Sequence, residues 1–329
     1  MRRFIALFMP LVITAMLLCS CGPVHTAGNS QDAVIRIAGL KGPTSMGMVK
    51  LMKDSEAGST DNHYEFMLAG SADEITPKLV QGELDIAAVP ANLASVLYNN
   101  TEGQIKLLAI NTLGVIYIVE RGDSIHSVND LKGKTIYGSG KGSTPEYALR
   151  HILEGNGLDP DKDVNIEWKS EHTEVLQMMA NDEQSIGLLP QPFVTVAESQ
   201  LADLHIALDL TEEWNRLEEE SMLITGALAV RKQFADEHPD QIKTFLEEYA
   251  ASVAYTNDDP ADAAKIIEEY DIIKAPVAEK AIPKCNIVCI SGTDMVAPMK
   301  GYMQVLYDAN PKSIGGKMPD DSFYFLQYK

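Results

Sequence analysis

Ile35-Arg-Ile-Ala-Gly-Leu-Lys-Gly-Pro-Thr-Ser-Met46 and, one hundred residues later, Thr135-Ile-Tyr-Gly-Ser-Gly-Lys-Gly-Ser-Thr-Pro-Glu146 have the same construction. In each, an apolar run of strand character stops at a glycine-rich turn, and a helical pattern opens beside a hydroxyl residue. The register persists beyond the turns. Strand-like runs begin at Tyr64 and Val164, and the runs 86–89 and 186–189 end at Pro90 and Pro190. Identities between the two segments are sparse, so what repeats is an order of elements: strand, glycine turn, helix, strand, helix, strand, proline loop. Alternation of this kind marks α/β layers. It predicts an α/β fold of two similar halves.

The halves need not be contiguous in the chain. Residues 34–115 begin one lobe and residues 116–219 form the other, and the chain then returns so that 220–329 completes the first. The apolar run 105–120 would cross between lobes and 210–226 would cross back. Two crossings make a hinge, which suits closure around a ligand. The C-terminal third reads as mostly helical, with patterns over 239–255, 261–270 and 295–310. The apolar end of the tail, around Phe323 and Phe325, is expected to pack back on a lobe.

Ahead of the globular body, Arg2 and Arg3 precede an apolar stretch over 4–18, the layout of a secretory signal. Leu18-Cys-Ser-Cys21 has the pattern of a bacterial lipobox, with cleavage before Cys21 and a diacylglyceryl group on its thiol. Two acyl chains give stable anchoring. Residues 21–33 then read as a lipidated cysteine and flexible tether, and the expected location is extracytoplasmic, on the cell membrane. Removing 1–20 takes away two arginines and no acid, deepening the formal charge from −20 to −22. Such an acidic chain is a poor nucleic-acid binder, because phosphates need lysines and arginines. Of the four cysteines, Cys285 and Cys289 remain for the body. Their spacing fits one helix face or separate packing, and the compartment permits a disulfide.

In open α/β sheets ligands sit outside the carboxyl ends of strands. The candidate ligand-binding residues are therefore on the turns. In lobe one they are Gly42, Thr44, Ser45, Met46 and Gly47, with Thr44 or Ser45 as helix N-cap. In lobe two they are Ser139, Gly142, Ser143 and Thr144, with Ser143 and Glu146 as a capping box. Glycines admit close backbone approach, and free amides plus the macrodipole attract anions. The proline loops add Pro90, Asn92, Gln191 and Phe193. Asn111 and Thr112 lie at the proposed crossing. Each turn also fits a plain capped helix start, and the acidic run around Trp214 fits a solvated helix face.

Catalytic patterns are scarce. Gly138-Ser-Gly-Lys-Gly-Ser-Thr144 departs from the Walker sequence because Gly142 follows the lysine, and the dinucleotide fingerprint fails because its third glycine comes one residue early. No Gly-x-Ser-x-Gly elbow is present. The seven histidines lack metal-ligand spacing, so neither a metal nor a cofactor is expected.

Leu18–Cys21, the stretch Ile37-Ala-Gly-Leu-Lys-Gly-Pro-Thr-Ser-Met-Gly47, and Glu83-Leu-Asp-Ile-Ala-Ala-Val-Pro-Ala-Asn92 resemble the substrate-binding lipoproteins of ABC importers in the nitrate/sulfonate/taurine group. Residues 138–147, Leu188-Leu-Pro-Gln-Pro-Phe-Val194 and 310–325 extend the resemblance over nearly the whole mature chain. It implies a type II periplasmic-binding-protein fold: two α/β lobes, two crossovers and closure on a small molecule. It also implies a membrane permease and a cytoplasmic ATPase as partners of a monomeric binding protein that is not an enzyme. Related proteins bind oxyanions, sulfonates or pyrimidine-type molecules. The cleft turns of this sequence hold no arginine, which favours a neutral or weakly anionic ligand. The rival readings are a ligand sensor and an enzyme built on the same fold.

Overall fold

A computed structural model describes residues 33–217 and 221–326. Cys21 and the acidic residues 218–220 that follow Trp214 lie outside the described residues. Among the described residues eleven strands form two sheets: β1 (Ile35–Leu40), β2 (Tyr64–Ala69), β3 (Ile86–Pro90), β4 (Ile105–Leu113), β5 (Ile116–Arg121), β6 (Thr135–Ser139), β7 (Asn165–Lys169), β8 (Ile186–Pro190), β9 (Leu204–Asp209), β10 (Ile224–Arg231) and β11 (Ile287–Ser291). The first sheet has the order β11-β4-β10-β3-β1-β2 and the second β7-β6-β8-β5-β9. Each lobe is built around one sheet, as the α/β reading expects.

The two sheets are mixed in the same way. β1 runs parallel to β2 and β3, and β10 runs antiparallel to β3 and β4. In the second sheet β6 runs parallel to β7 and β8, while β5 runs antiparallel to β8 and β9. The shared order places the carboxyl ends of β1 and β3, and of β6 and β8, side by side in their own sheets. The near-continuous apolar character of β3, β8 and β10 follows from helices covering both faces of each sheet.

The chain leaves the first sheet at Gly114–Val115, between β4 and β5. It returns through helix Leu210–Leu217 into β10. Gly114 has no room for a side chain: a Cβ there would stand 2.2 Å from Thr211 Oγ1 and 2.9 Å from Leu223. The two crossovers thus pack against each other.

Three clusters make the interior. One holds β1, β3 and β10 residues against helices Val49–Glu56 and Pro239–Asp258, with Ile37, Phe245 and Tyr249 at its centre. A second lies inside the other lobe under helices His172–Ala180 and Phe193–Gln200, around Val119, Leu189 and Val194. The third spans both lobes, joining Val89 and Ile110 to Ile118, Ile136 and Leu153 through Tyr302, Met303 and Leu306 of helix Val296–Ala309. The tail packs back as expected. Phe323, Tyr324 and Phe325 are buried, and Phe325 N donates to Leu107 O at 2.9 Å.

The cysteine-bearing segment of the C-terminal third is a strand, and of the readings left open for its two thiols the one without a disulfide holds. Residues 287–291, for which no element was expected, form the edge strand β11, with an irregular register against β4. Cys285 and Cys289 are free thiols, one just before that strand and one within it. Burial pushes Cys285 up to about 12 and Cys289 up to about 11.

Candidate functional site

The first turn follows β1 directly. Gly42, at φ 150°, is the N-cap of a four-residue helix, Pro43–Met46, and no side chain caps it. Neither Thr44 nor Ser45 is therefore the cap, because Pro43 already occupies the first helical position. Thr44 Oγ1 points back to Leu40 O at 3.5 Å. Ser45 is fully buried against Gly39, its hydroxyl without a hydrogen-bond partner. Met46 and Gly47, also candidates, take part in packing. The Met46 side chain is fully buried in the lobe-one core. A Cβ on Gly47 would come within 2.8–3.2 Å of Ile287, Val253 and Tyr249, so that glycine serves close packing.

Asn111 and Thr112, at the end of β4, are both fully buried. Asn111 Nδ2 donates to Thr44 O at 2.9 Å, and its Oδ1 accepts from Thr112 Oγ1 at 3.2 Å. These residues fasten the first turn to the crossing strand. Asn92 does similar work, donating to Ser313 O at 3.0 Å and holding the C-terminal tail to the loop that Pro90 opens.

The lobe-two turn after β6 satisfies itself more fully than the sequence predicts. Ser143 is the N-cap of helix Thr144–Gly155, but its Oγ donates to Gly140 O at 2.6 Å instead of accepting from the helix. Glu146 reaches Gly142 N at 2.6 Å, one residue short of a capping box. The cause is the loop: Gly140 and Gly142 have φ of 86° and 78°, and the Ser143 amide is turned onto Gly140 O. Thr144 Oγ1 pairs with the hydroxyl of Tyr302 at 2.8 Å.

Beside this turn the sheet order β7-β6-β8 brings three residues together. Ser139, the last residue of β6, is buried and its hydroxyl bonds His172 Nδ1. His172 opens the helix after β7, and its ring lies 4.6 Å from that of Phe193, which opens the helix after β8. Burial holds the imidazole below its ordinary value, with the neighbouring Glu171 carboxylate acting in the opposite sense. The sequence reading found Ser139 and Phe193 and missed His172. The available signal was its place, immediately after the run ending at Lys169.

Gln191 is buried at the end of β8. Its Oε1 accepts from Thr195 Oγ1 at 2.8 Å, and its Nε2 has no partner. Its backbone N–H donates to Val115 O at 2.8 Å, tying this loop to the crossover.

All five described arginines are committed to carboxylates. Arg36 and Arg231 share Asp85, Arg121 pairs with Asp203, Arg150 with Asp161, and Arg216 with Glu213. Asp85 sits at the amino end of β3, and Arg121 N donates to Ser185 O at the start of β8. Those pairs therefore occupy the ends of the sheets opposite the turns. Burial alone would raise Asp85, but hydrogen bonds from Arg36 and Arg231 hold it below the usual carboxylate range. Lys41, in the first turn, is 2.6 Å from Asp271. Among the described residues no cluster of His, Cys, Asp and Glu could hold a metal ion.

Residues 57–279 match the family model described as "ABC transporter, phosphonate, periplasmic substrate-binding protein". No curated protein matches the chain. Solved structures share its fold. An ABC transporter protein from Parabacteroides distasonis is 22% identical and superposes with a TM-score of 0.76 over 90% of this chain and 100% of that one. The periplasmic aliphatic sulphonate-binding protein from Escherichia coli is 14% identical, with a TM-score of 0.68 over 90% and 96%. The periplasmic nitrate-binding protein from Synechocystis PCC 6803 is 14% identical, with a TM-score of 0.53 over 76% and 69%. At these identities the likeness establishes the two-lobed periplasmic-binding architecture.

Proposed function

Because the chain belongs to the periplasmic substrate-binding protein family of phosphonate ABC transporters, we propose that its cleft takes a small organic molecule that is neutral or weakly anionic. The protein is the substrate-binding component of an ABC import system, and its fixed partners are a ligand and a permease. Lobe one comprises 34–115 with 220–329, and lobe two 116–219. The ligand lies between the turns after β1 and β3 on one side and those after β6, β7 and β8 on the other. A diacylglyceryl group on Cys21 tethers the protein to the membrane, and it works as a monomer. Contacts from both lobes favour a closed form, which the permease recognises.

The observation that carries the ligand class is the placement of charge. A buried or half-buried oxyanion needs cationic or amide donors close by. Here every described arginine is paired with a carboxylate, and the lobe-two turn spends its Gly142 amide on its own Glu146. Apart from the exposed Lys141 ammonium on the lobe-two turn, what remains is hydroxyl, amide and imidazole chemistry: Ser45, Gln191, and the Ser139–His172 pair beside Phe193. These groups suit a polar ring or an amide-bearing molecule, with Phe193 as an apolar wall.

Thermal unfolding of the mature protein against phosphonates, sulfonates, nitrate, pyrimidines and amino acids tests this. A ligand at one hundred times its Kd stabilises the native state by about 2.7 kcal/mol. A saturable shift is expected from a neutral or weakly charged heterocycle or amide. A saturable shift from methylphosphonate or nitrate would overturn the ligand class while leaving the import role intact.

A further inference from the structure

Residues 284–287 lie across the passage from β4 to β5. The Tyr117 hydroxyl donates to Lys284 O at 2.7 Å, and Leu113 N donates to Asn286 O at 3.0 Å. Asn286 Nδ2 then donates to Gly114 O at 2.6 Å, so this one residue bonds two successive residues of the crossover. Thr225 Oγ1 of β10 donates to Leu113 O at 2.5 Å, and Gln191 N to Val115 O at 2.8 Å. The segment itself is rooted in lobe one. Cys285 and Ile287 belong to that lobe's core, and Asn257 Nδ2 of helix Pro239–Asp258 donates to Ile287 O at 2.9 Å. Asn286 stands just before β11 at φ 44°, in the left-handed region where asparagine is among the few side chains readily accepted.

A joint between lobes turns where a few residues change φ and ψ freely. Peptide groups bonded to a third segment can do so only by giving up those bonds. Leu113 N and O, Gly114 O and Val115 O are all bonded in this way, which makes 113–115 a poor place to bend. We propose that Asn286 is a clasp on the β4–β5 crossover, keeping it rigid so that the lobes turn about it as a fixed pivot. The proposal rests on lobe closure as the working motion, and it makes Asn286 a positioning residue. Gln191, hung from Val115 by its own amide, stays with the pivot and keeps its place beside lobe one at every angle. Ser139 and His172, on β6 and on the helix after β7, lie farther from β5 in the sheet order and swing through a longer arc. A ligand thus holds Gln191 in open and closed forms and gains the Ser139–His172 pair on closing.

The test uses the full chain in detergent, without ligand, as wild type, Asn286→Gly and Asn286→Asp. The first variant keeps the left-handed backbone and removes the amide, and the second keeps the shape but sets a carboxylate against Gly114 O. Hydrogen exchange read by mass spectrometry follows peptides spanning 108–118 and 186–192. Both should exchange about fivefold faster in each variant, the factor for one hydrogen bond lost, while β1 is unchanged. Spin labels carried by unnatural amino acids at Glu65 and Glu167 read the angle between lobes. Both positions are exposed, on β2 and β7, the strands that the sheet orders place farthest from β4 and β5, where rotation about the crossover gives the longest arc. Their distance distribution should broaden about twofold in both variants, because a freed crossover adds its own bending. Unchanged exchange over 108–118 would show that there is no clasp. Faster exchange, with two distances in wild type and the same two in the variants, would overturn the pivot and leave lobe closure standing. A single narrow distance shared by all three proteins would mean that the lobes do not part, and the closure reading would fall with the pivot.

Discussion

His172 shows how one residue can carry a site and escape notice in the sequence. Nothing in Ser170-Glu-His-Thr-Glu174 separates it from an exposed helix start. Its burial arises because β7 pairs with β6 and so delivers the imidazole to Ser139, thirty-three residues away. Ser139 and Phe193 were legible because each ends a strand or opens a helix at a marked turn. The consequence of burial is a pH dependence. The folded-state value lies below the ordinary 6.5, so between the two the unfolded chain binds more protons than the native one. The stability due to the neutral ring is fully present above about 6.5 and is lost as pH falls through the folded value. His172→Gln keeps a polar side chain without that titration. Between pH 7 and 5 the wild type should lose more melting temperature than the variant, although carboxylates lower both. Parallel losses in the two proteins would place His172 in solvent.

At the scale of elements, the paired apolar runs located β1, β2 and β3 and their counterparts β6, β7 and β8, because buried strands of mixed sheets read as short continuous apolar segments. The edge strand β11 was missed since Cys285-Asn-Ile-Val-Cys289 allows helical spacing equally well, and edge pairing is a property of β4 rather than of that segment. The glycine turns were visible, but which groups they leave free was not. That depends on contacts such as Asn111 to Thr44 O, which join residues sixty-seven apart. Gly226 is the point where this contact is tightest. It lies on β10 opposite Pro90, and a Cβ there would stand 2.5 Å from Asn111 Oδ1, 2.7 Å from Thr44 Cγ2 and 2.9 Å from Thr112 Oγ1. Both Asn111 and Thr112 are buried and cannot swing into solvent. Gly226→Ala should therefore cost about 1–3 kcal/mol in urea unfolding, the range for overpacking. It should also displace the first turn, weakening ligand binding by more than Gly70→Ala, where a Cβ meets only Glu74 Oε1 at an ordinary 3.5 Å. Equal stability in the two variants would show that Asn111 does not fix the turn.

At the scale of the whole molecule, the cluster shared by both lobes predicts how the protein unfolds. Two lobes with wholly separate cores would melt as independent units. Here the largest cluster belongs to both lobes and is closed by helix Val296–Ala309. Tyr302 of that helix is fully buried, bonds Thr144 of lobe two, and lies with its ring 6.1 Å from that of Trp214 in the returning crossover. Trp214 in turn donates to Ser221 Oγ at 3.2 Å, just ahead of β10. Removing either lobe would expose the face of this helix that the other lobe covers, so the apolar area lost ties the two together. Unfolding should be a single cooperative transition despite the length of the chain. Trp214 fluorescence, read in a Trp168→Phe background, reports the lobe-two side and the crossover, whereas far-ultraviolet circular dichroism reports helices of both lobes. The two urea transitions should coincide in midpoint and slope, the signature of two-state behaviour. Earlier loss of the tryptophan signal, with helicity retained, would mean that lobe two melts alone and that the shared cluster is too weak to couple the lobes.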